Sequence, residues 1–164
     1  MLQQLGWRKN EPWLQEVTVP TDMDWGLSGI SVKLPISEWQ KMGVQARQGQ
    51  LANLPEGHKG PAFLAYPNFD VYFEWNQSFT YVLTAAYFAT RLAGAPKYQL
   101  GNPAKGLSTT QMKQLQRELQ LRGYNVGKID GILGAGTRGA VQAEHGKRGL
   151  PADAWPTEEL LYKF

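Results

Sequence analysis

Apolar and polar residues follow two different periods along this chain. In the first stretch they alternate. "LQEVTV" (14–19) sets Leu14, Val17 and Val19 among polar neighbours and stops at Pro20, and "ISVKL" (30–34) alternates up to Pro35. Both predict short strands. "PISEWQKMG" (35–43) predicts a short helix, with Ser37 near its start and Gly43 just past its end. The polar stretch "PEGHKG" (55–60) between "LANL" and "PAFLAY" predicts a hairpin, and "FDVYF" (69–73) predicts one more strand.

The period then lengthens. From about Ser78 to Leu92, Val82, Ala85, Ala86 and Ala89 recur at helical spacing, which predicts one long helix ending before Gly94 and Pro96. "AGAPKYQLGNPAKG" (93–106) holds three glycines and two prolines without a period and reads as a linker. Beyond it, Ser108 and Gln111 have capping-box spacing, Met112, Leu115 and Leu119 form an apolar stripe, and Gly123 ends the helix. "DGILG" (130–134) predicts a tight turn with Gly131 and Gly134 at positive φ, followed by helices over about 135–147 and 157–162. The fold class is therefore α+β. A small β-rich part with one long helix (1–95) is joined by a linker (96–106) to a small three-helix domain (107–164).

Composition narrows the chemistry. The 164 residues are 42% hydrophobic and 19% charged, values of a globular chain. No apolar run approaches the roughly 20 residues of a membrane span. Zero cysteines exclude disulfides, thiolate metal sites and a cysteine nucleophile. The two histidines, His58 and His145, are too isolated to suggest a metal, and His58, in a polar turn, is expected to be solvated. No cofactor motif is present. The net charge of +3 is spread over both parts, so there is no basic stripe for nucleic acid.

One motif stands apart: Trp75-Asn76-Gln77-Ser78-Phe79-Thr80-Tyr81. An asparagine before a helix is ordinarily a cap or turn residue, and a tyrosine in a first helical turn is ordinarily half-buried core. An amide beside aromatic rings also suits an acetamido group or a sugar hydroxyl.

Two resemblances bear on that choice. "LGW", "PWLQEV", "PISEWQKMGV", "GPAFLAYPNF" and "WNQSFTYVLTAAYFATRLAG" resemble, in order, the C-terminal part of the catalytic domain of lytic murein transglycosylases of the B type, which is lysozyme-like. Residues 107–164, with their LQ…L…GY…G…DG…G..T..AV pattern and "GLPAD", resemble a peptidoglycan-binding domain. The first resemblance implies that Asn76 and Tyr81 lie in the glycan cleft. Trp75 replaces the family's tyrosine beside them, and Ser78 is expected to be structural. The second implies a groove near the helix junctions, with Gly131, Gly134, Tyr124 and Asp130 about it. Glu144 and His145 stand where relatives carry an aromatic residue and glutamine, a change expected to cost packing.

The implied partner is the glycan strand of peptidoglycan. The implied reaction is cleavage between MurNAc and GlcNAc with closure of an anhydro ring by one glutamate acting as acid, then base. In the family that glutamate precedes "LGW", so the chain is expected to lack it, to need an upstream catalytic segment and to be inactive alone. Glu74, the carboxylate nearest the motif, is expected on a solvated face, and Glu16, Glu38 and Glu56 have no evident partner. The alternative is a non-catalytic wall-binding protein or an inactive remnant. The family works in the periplasm or cell envelope. With Met1 as the true start, lacking a signal peptide, the expectation is instead cytoplasmic.

Overall fold

The computed structural model describes residues 2–29, 32–45, 51–53, 57–76 and 78–164. The first half is built on a three-stranded antiparallel sheet of order β1-β3-β2, from β1 (Leu14–Val17), β2 (Leu51–Asn53) and β3 (Ala62–Ala65). Leu14 pairs with Ala65 and Val17 with Ala62, while Leu51 pairs with Ala65 and Asn53 with Phe63. The expected β2–β3 hairpin pairing forms; residues 54–56 of its turn, Glu56 included, lie outside the described residues. So do Ile30 and Ser31 of the expected strand 30–34, whose residues 32–34 are irregular. The short helix forms as α1 (Ile36–Lys41).

β3 is buried along its whole length because both faces of the sheet are covered. Ala62 and Leu64 meet Trp39, Val44 and Met23 on one side. Phe63 and Ala65 meet Phe69, Phe79, Val82 and Ala86 on the other. Each fully buried large side chain contributes about 1.5–3 kcal/mol, so this central strand carries much of the first half's stability.

Residues 69–73 are not a strand but part of a helix, α2 (Pro67–Trp75). Phe69, Val71 and Phe73 have the strand's period of two, but Phe69, Tyr72 and Phe73 also stand at i, i+3 and i+4, and all three join one core cluster. Two further features favour the helix. Pro67 opens it with φ preset and no N–H to lose. Asn68, fully buried, accepts from the Arg8 N–H at 2.8 Å and donates to the carbonyls of Arg8 at 2.8 Å and Glu11 at 2.9 Å. The long helix follows as α3 (Phe79–Leu92), burying Phe79, Val82 and Ala86.

The second half is three helices, α4 (Thr109–Leu121), α5 (Ala135–Lys147) and α6 (Glu158–Leu161). They enclose Leu115, Leu119, Val141 and Leu160. The Ser108–Gln111 capping box is present in both directions. Residues 96–106 form neither helix nor strand but touch both halves. The Asn102 N–H donates to the Lys59 carbonyl at 2.8 Å, and the Ala104 carbonyl accepts from the Trp155 indole at 2.8 Å. Among the described residues no helix is long and apolar enough to cross a membrane.

Candidate functional site

α2 ends at Trp75, and α3 begins four residues later. Asn76 makes the corner. Its backbone is extended (φ −146°, ψ 118°), and its N–H closes α2 on the Tyr72 carbonyl at 3.1 Å. Its side-chain Oδ1 accepts from the Ser78 N–H at 2.8 Å. Ser78 holds the N-cap position of α3, but its hydroxyl makes no capping bond. The asparagine side chain therefore satisfies a backbone donor at the corner, so the turn reading of Asn76 describes half of its amide. The Nδ2 group has no partner among the described residues and retains its donors for something else.

Aromatic residues stand on both sides of this corner. Trp75 is 48% exposed and Tyr81 51% exposed, with centroids 5.7 Å apart and planes tilted by 46°. Tyr81 is thus not half-buried core; its outward face meets solvent beside Trp75. The structure brings Trp75 and Tyr81 together as two half-exposed rings in mutual contact, with Asn76 next to Trp75 at the corner. Glu74, on α2 and not on a strand, is exposed. Gln77 lies outside the described residues.

The α4–α5 connection forms a second feature. Gly131 has φ +84°, and a Cβ there would stand 2.9 Å from the Thr109 carbonyl oxygen. Its N–H donates to Gln116 Oε1 at 2.9 Å, and the buried Gln116 amide donates in turn to the Ile132 carbonyl at 3.1 Å. Asp130 Oδ1 accepts from the Ile132 N–H at 2.8 Å, and this backbone bond is the main reason its carboxyl is held below the usual carboxylate range. A shallow depression of about 390 Å³ opens between Asp130, Ile132, Gly134 and Lys128.

Gly134 differs from expectation. Its φ is −82°, because it is the N-cap residue of α5 and needs no left-handed backbone there. Tyr124 does not line the depression. Its hydroxyl donates to Glu144 Oε1 at 2.6 Å, and Lys147 approaches the same hydroxyl at 2.7 Å. Glu144 and His145 are both buried. Glu144 is enclosed by Tyr124, Lys147 and Arg148, which pair its carboxylate.

The structure also shows a seam that sequence reasoning missed. His58 is not simply solvated: its side chain is 27% exposed, and its Nδ1 lies 2.6 Å from Oδ2 of buried Asp153. His145 Nδ1 stands 3.5 Å from the other Asp153 oxygen, and burial lowers the His145 pKa although Asp153 pulls it upward. Gln142 donates across the seam to the Ser28 carbonyl at 2.6 Å and, on its own side, to that of Ala152 at 3.0 Å. No local signal announces such contacts, because their partners are far apart in sequence. Beside them a cleft of about 570 Å³ lies between the halves, walled by Phe63, Leu83, Tyr87, Tyr98, Trp155 and Arg138. Among the described residues no group of three or more His, Cys, Asp or Glu is arranged to hold a metal ion.

Comparison with known proteins bears on both halves. Residues 1–90 match the family described as "Transglycosylase SLT domain", and residues 108–163 match a peptidoglycan binding domain family. The chain is similar to SltB3 from Pseudomonas aeruginosa, solved in complex with NAG-anhNAM-pentapeptide: 36% identity, a TM-score of 0.81, and coverage of 99% of this chain and 47% of that one. The SltB3 complex with NAG-NAM-pentapeptide matches with the same figures. The chain thus spans about half the length of SltB3. Comparison with curated proteins returns no match.

Proposed function

The chain belongs to the transglycosylase SLT domain family and carries a peptidoglycan binding domain behind that region, and on this premise we propose that it works as the C-terminal part of a lytic murein transglycosylase. Its role is to hold the glycan strand. The observation that carries this reading is the pair of half-exposed rings, Trp75 and Tyr81, in contact beside the corner that Asn76 makes. Flat aromatic faces cover the apolar side of a pyranose, and an amide that can donate and accept suits an N-acetyl group. On the helical half, the depression beside Asp130, Gly131 and Gly134 takes a second stretch of wall polymer, and Tyr124 braces α5 behind it.

Cleavage needs more. A positioned general acid contributes about 100- to 10,000-fold, and it works from an enclosed, apolar site. Glu74 stands exposed on α2 instead. The proton donor is therefore assigned to an upstream catalytic segment, and the working protein to the periplasm or cell envelope, where its substrate lies. The exposure of Glu74 also favours a second reading, a wall-binding protein that does not cut.

Incubation with purified sacculi tests both. The chain should co-sediment with them above a control protein yet release no anhydromuropeptides, as read by chromatography of the supernatant. Restoring an upstream segment with its glutamate should start release under the first reading and not under the second. Failure to co-sediment would sink the wall-binding reading. Release by the chain alone would overturn the division of labour and make Glu74 the first residue to replace.

A further inference from the structure

We propose that Asp153, set between a histidine of each half, is an acid-released latch: it ties the halves together near neutral pH and lets them part as pH falls. The tie is closely fitted. His58 lies in the turn before β3, and Asp153 Oδ2 meets both its backbone N–H at 2.9 Å and its ring Nδ1 at 2.6 Å. The Trp25 ring backs the His58 ring from the first half, with centroids 5.4 Å apart. Gly57 lets the turn come this close. Its φ is +79°, and a Cβ there would stand 2.8 Å from Asp153 Oδ2 and 2.9 Å from Trp155 Cβ.

His145, on α5, stands on the other side of the same carboxylate. Its buried Nδ1 makes no hydrogen bond among the described residues and lies 3.5 Å from Asp153 Oδ1, which already accepts from the Trp155 N–H at 3.0 Å. A neutral His145 leaves the carboxylate to His58. A protonated one carries an N–H on both ring nitrogens, and a buried cation without an acceptor is costly. It then competes for Asp153, an acceptor on its own half. His58 can donate from Nδ1 whether neutral or charged, so His145 is the histidine whose proton changes the contest.

The surrounding charges set the direction. The two histidines, Asp153, Lys59 and Glu159 line one hollow of about 230 Å³ between the halves. Burial and His58 oppose a proton on His145, while Asp153 and Glu159 favour it. Both carboxylates belong to the second half, as His145 does. Lys59, on the His58 turn, adds positive charge from the first half. On α5 itself, Glu144 is held by Tyr124, Lys147 and Arg148, and Arg138, with a pKa of about 10, stays charged throughout. Parting the halves admits water and withdraws His58 and Lys59, yet leaves Asp153 and Glu159 beside His145. The parted form therefore holds the proton more tightly. Stability of the closed form is complete above about pH 6.5 and is lost as pH falls below it, so acid selects the parted form. Closed, the latch fixes the Trp75–Tyr81 pair relative to the depression at Asp130; parted, it frees their spacing.

The chain holds no cysteine, so Thr18→Cys and Tyr162→Cys, exposed and one on each half, place two nitroxide labels without background. Electron–electron resonance at pH 7.5, 6.5 and 5.5 then reads the distance between the halves of the whole chain. A longer distance should gain population below about pH 6.5, its ratio to the shorter one rising by up to about tenfold per pH unit for one proton. Far-UV circular dichroism should stay constant meanwhile. His145→Gln should keep the shorter distance at every pH. His58→Ala, at a part-exposed position, should show the longer distance already at pH 7.5. A single distance across the whole range overturns the proposal, and so does acid lengthening that persists in His145→Gln. A His58→Ala chain that keeps only the shorter distance at pH 7.5 removes the tie from the argument and overturns it too. Lengthening that comes with loss of helix signal also overturns it, because the chain is then unfolding and not parting.

Discussion

Nδ1 of His58 lies 2.6 Å from Oδ2 of Asp153, across a sequence separation of 95 residues. The same oxygen accepts from the His58 backbone N–H at 2.9 Å, while Oδ1 accepts from the Trp155 N–H at 3.0 Å. One buried carboxylate thus ties the sheet half to the helical half. Asp153→Asn keeps only one acceptor oxygen and leaves a donor facing a donor. It should lower stability by about 1.5–3 kcal/mol, the range for hydrogen bonds to a charged group. Urea unfolding of the variant beside His58→Gln checks this: the double variant should lose less than the sum of the singles.

The buried His145 makes stability depend on pH. Burial is the main cause of its lowered pKa, with a smaller downward push from His58 and opposing attraction from Asp153 and Glu159. In the unfolded chain the imidazole titrates near the usual 6.5. Between that value and the lower folded one, the unfolded chain binds a proton that the folded chain does not. The stability associated with neutral His145 is therefore complete above about pH 6.5 and is lost as pH falls below it, at no more than about 1.4 kcal/mol per pH unit for one proton. Urea midpoints measured from pH 7.5 to 5.5 should fall in the unaltered chain and fall less steeply in His145→Gln. Parallel slopes would reject the assignment.

Asn76 carries two roles that substitution can separate. Asn76→Asp keeps an oxygen for the Ser78 N–H but removes the Nδ2 donors. It should keep the melting temperature within a few degrees while weakening muropeptide binding by about 1–3 kcal/mol. Asn76→Ala should lose both, with about 1 kcal/mol of stability gone at the corner. Ser78→Ala should change binding little, since its hydroxyl caps nothing. Equal effects of Asn76→Ala and Ser78→Ala on binding would favour a structural role alone.

Trp75→Ala and Tyr81→Ala remove rings that are about half exposed. Their mutual contact is worth about 0.5–1.5 kcal/mol at most, so the fold should tolerate either change. Binding of glycan fragments should drop by about fivefold or more for each, the cost of losing an aromatic anchor. Titration with a peptide-free disaccharide reads this directly.

Gly131 and Gly134 should respond differently to alanine. At Gly131 the new Cβ meets the Thr109 backbone at 2.9 Å under φ +84°, a cost of about 1–3 kcal/mol. At Gly134 it meets nothing within 4 Å, and the cost is the poorer N-cap preference of alanine alone, about 0.5–1 kcal/mol. Thermal melting of the two variants should separate them clearly.

The sequence by itself determined the local elements whose signals lie within a few residues of each other. The Ser108–Gln111 box, the α3 spacing of Val82 and Ala86, and the positive φ of Gly131 are set by neighbours along the chain, and each is found as read. The family resemblance singled out Asn76 and Tyr81, but not how Asn76 divides its amide between backbone and solvent. Tertiary structure decided what short-range patterns leave open. Residues 69–73 satisfy both a strand period and a helix face, and burial of Asn68 and Phe69 against partners from distant segments chose the helix. His58 reads as a solvated turn residue because Asp153 is 95 positions away. The cleft between the halves has no sequence signature, since its walls come from β3, α3, the 96–106 segment and the helical half together. Periodicity reports only which face of an element is apolar; what that face meets depends on long-range contacts, which exist only once the chain has closed on itself.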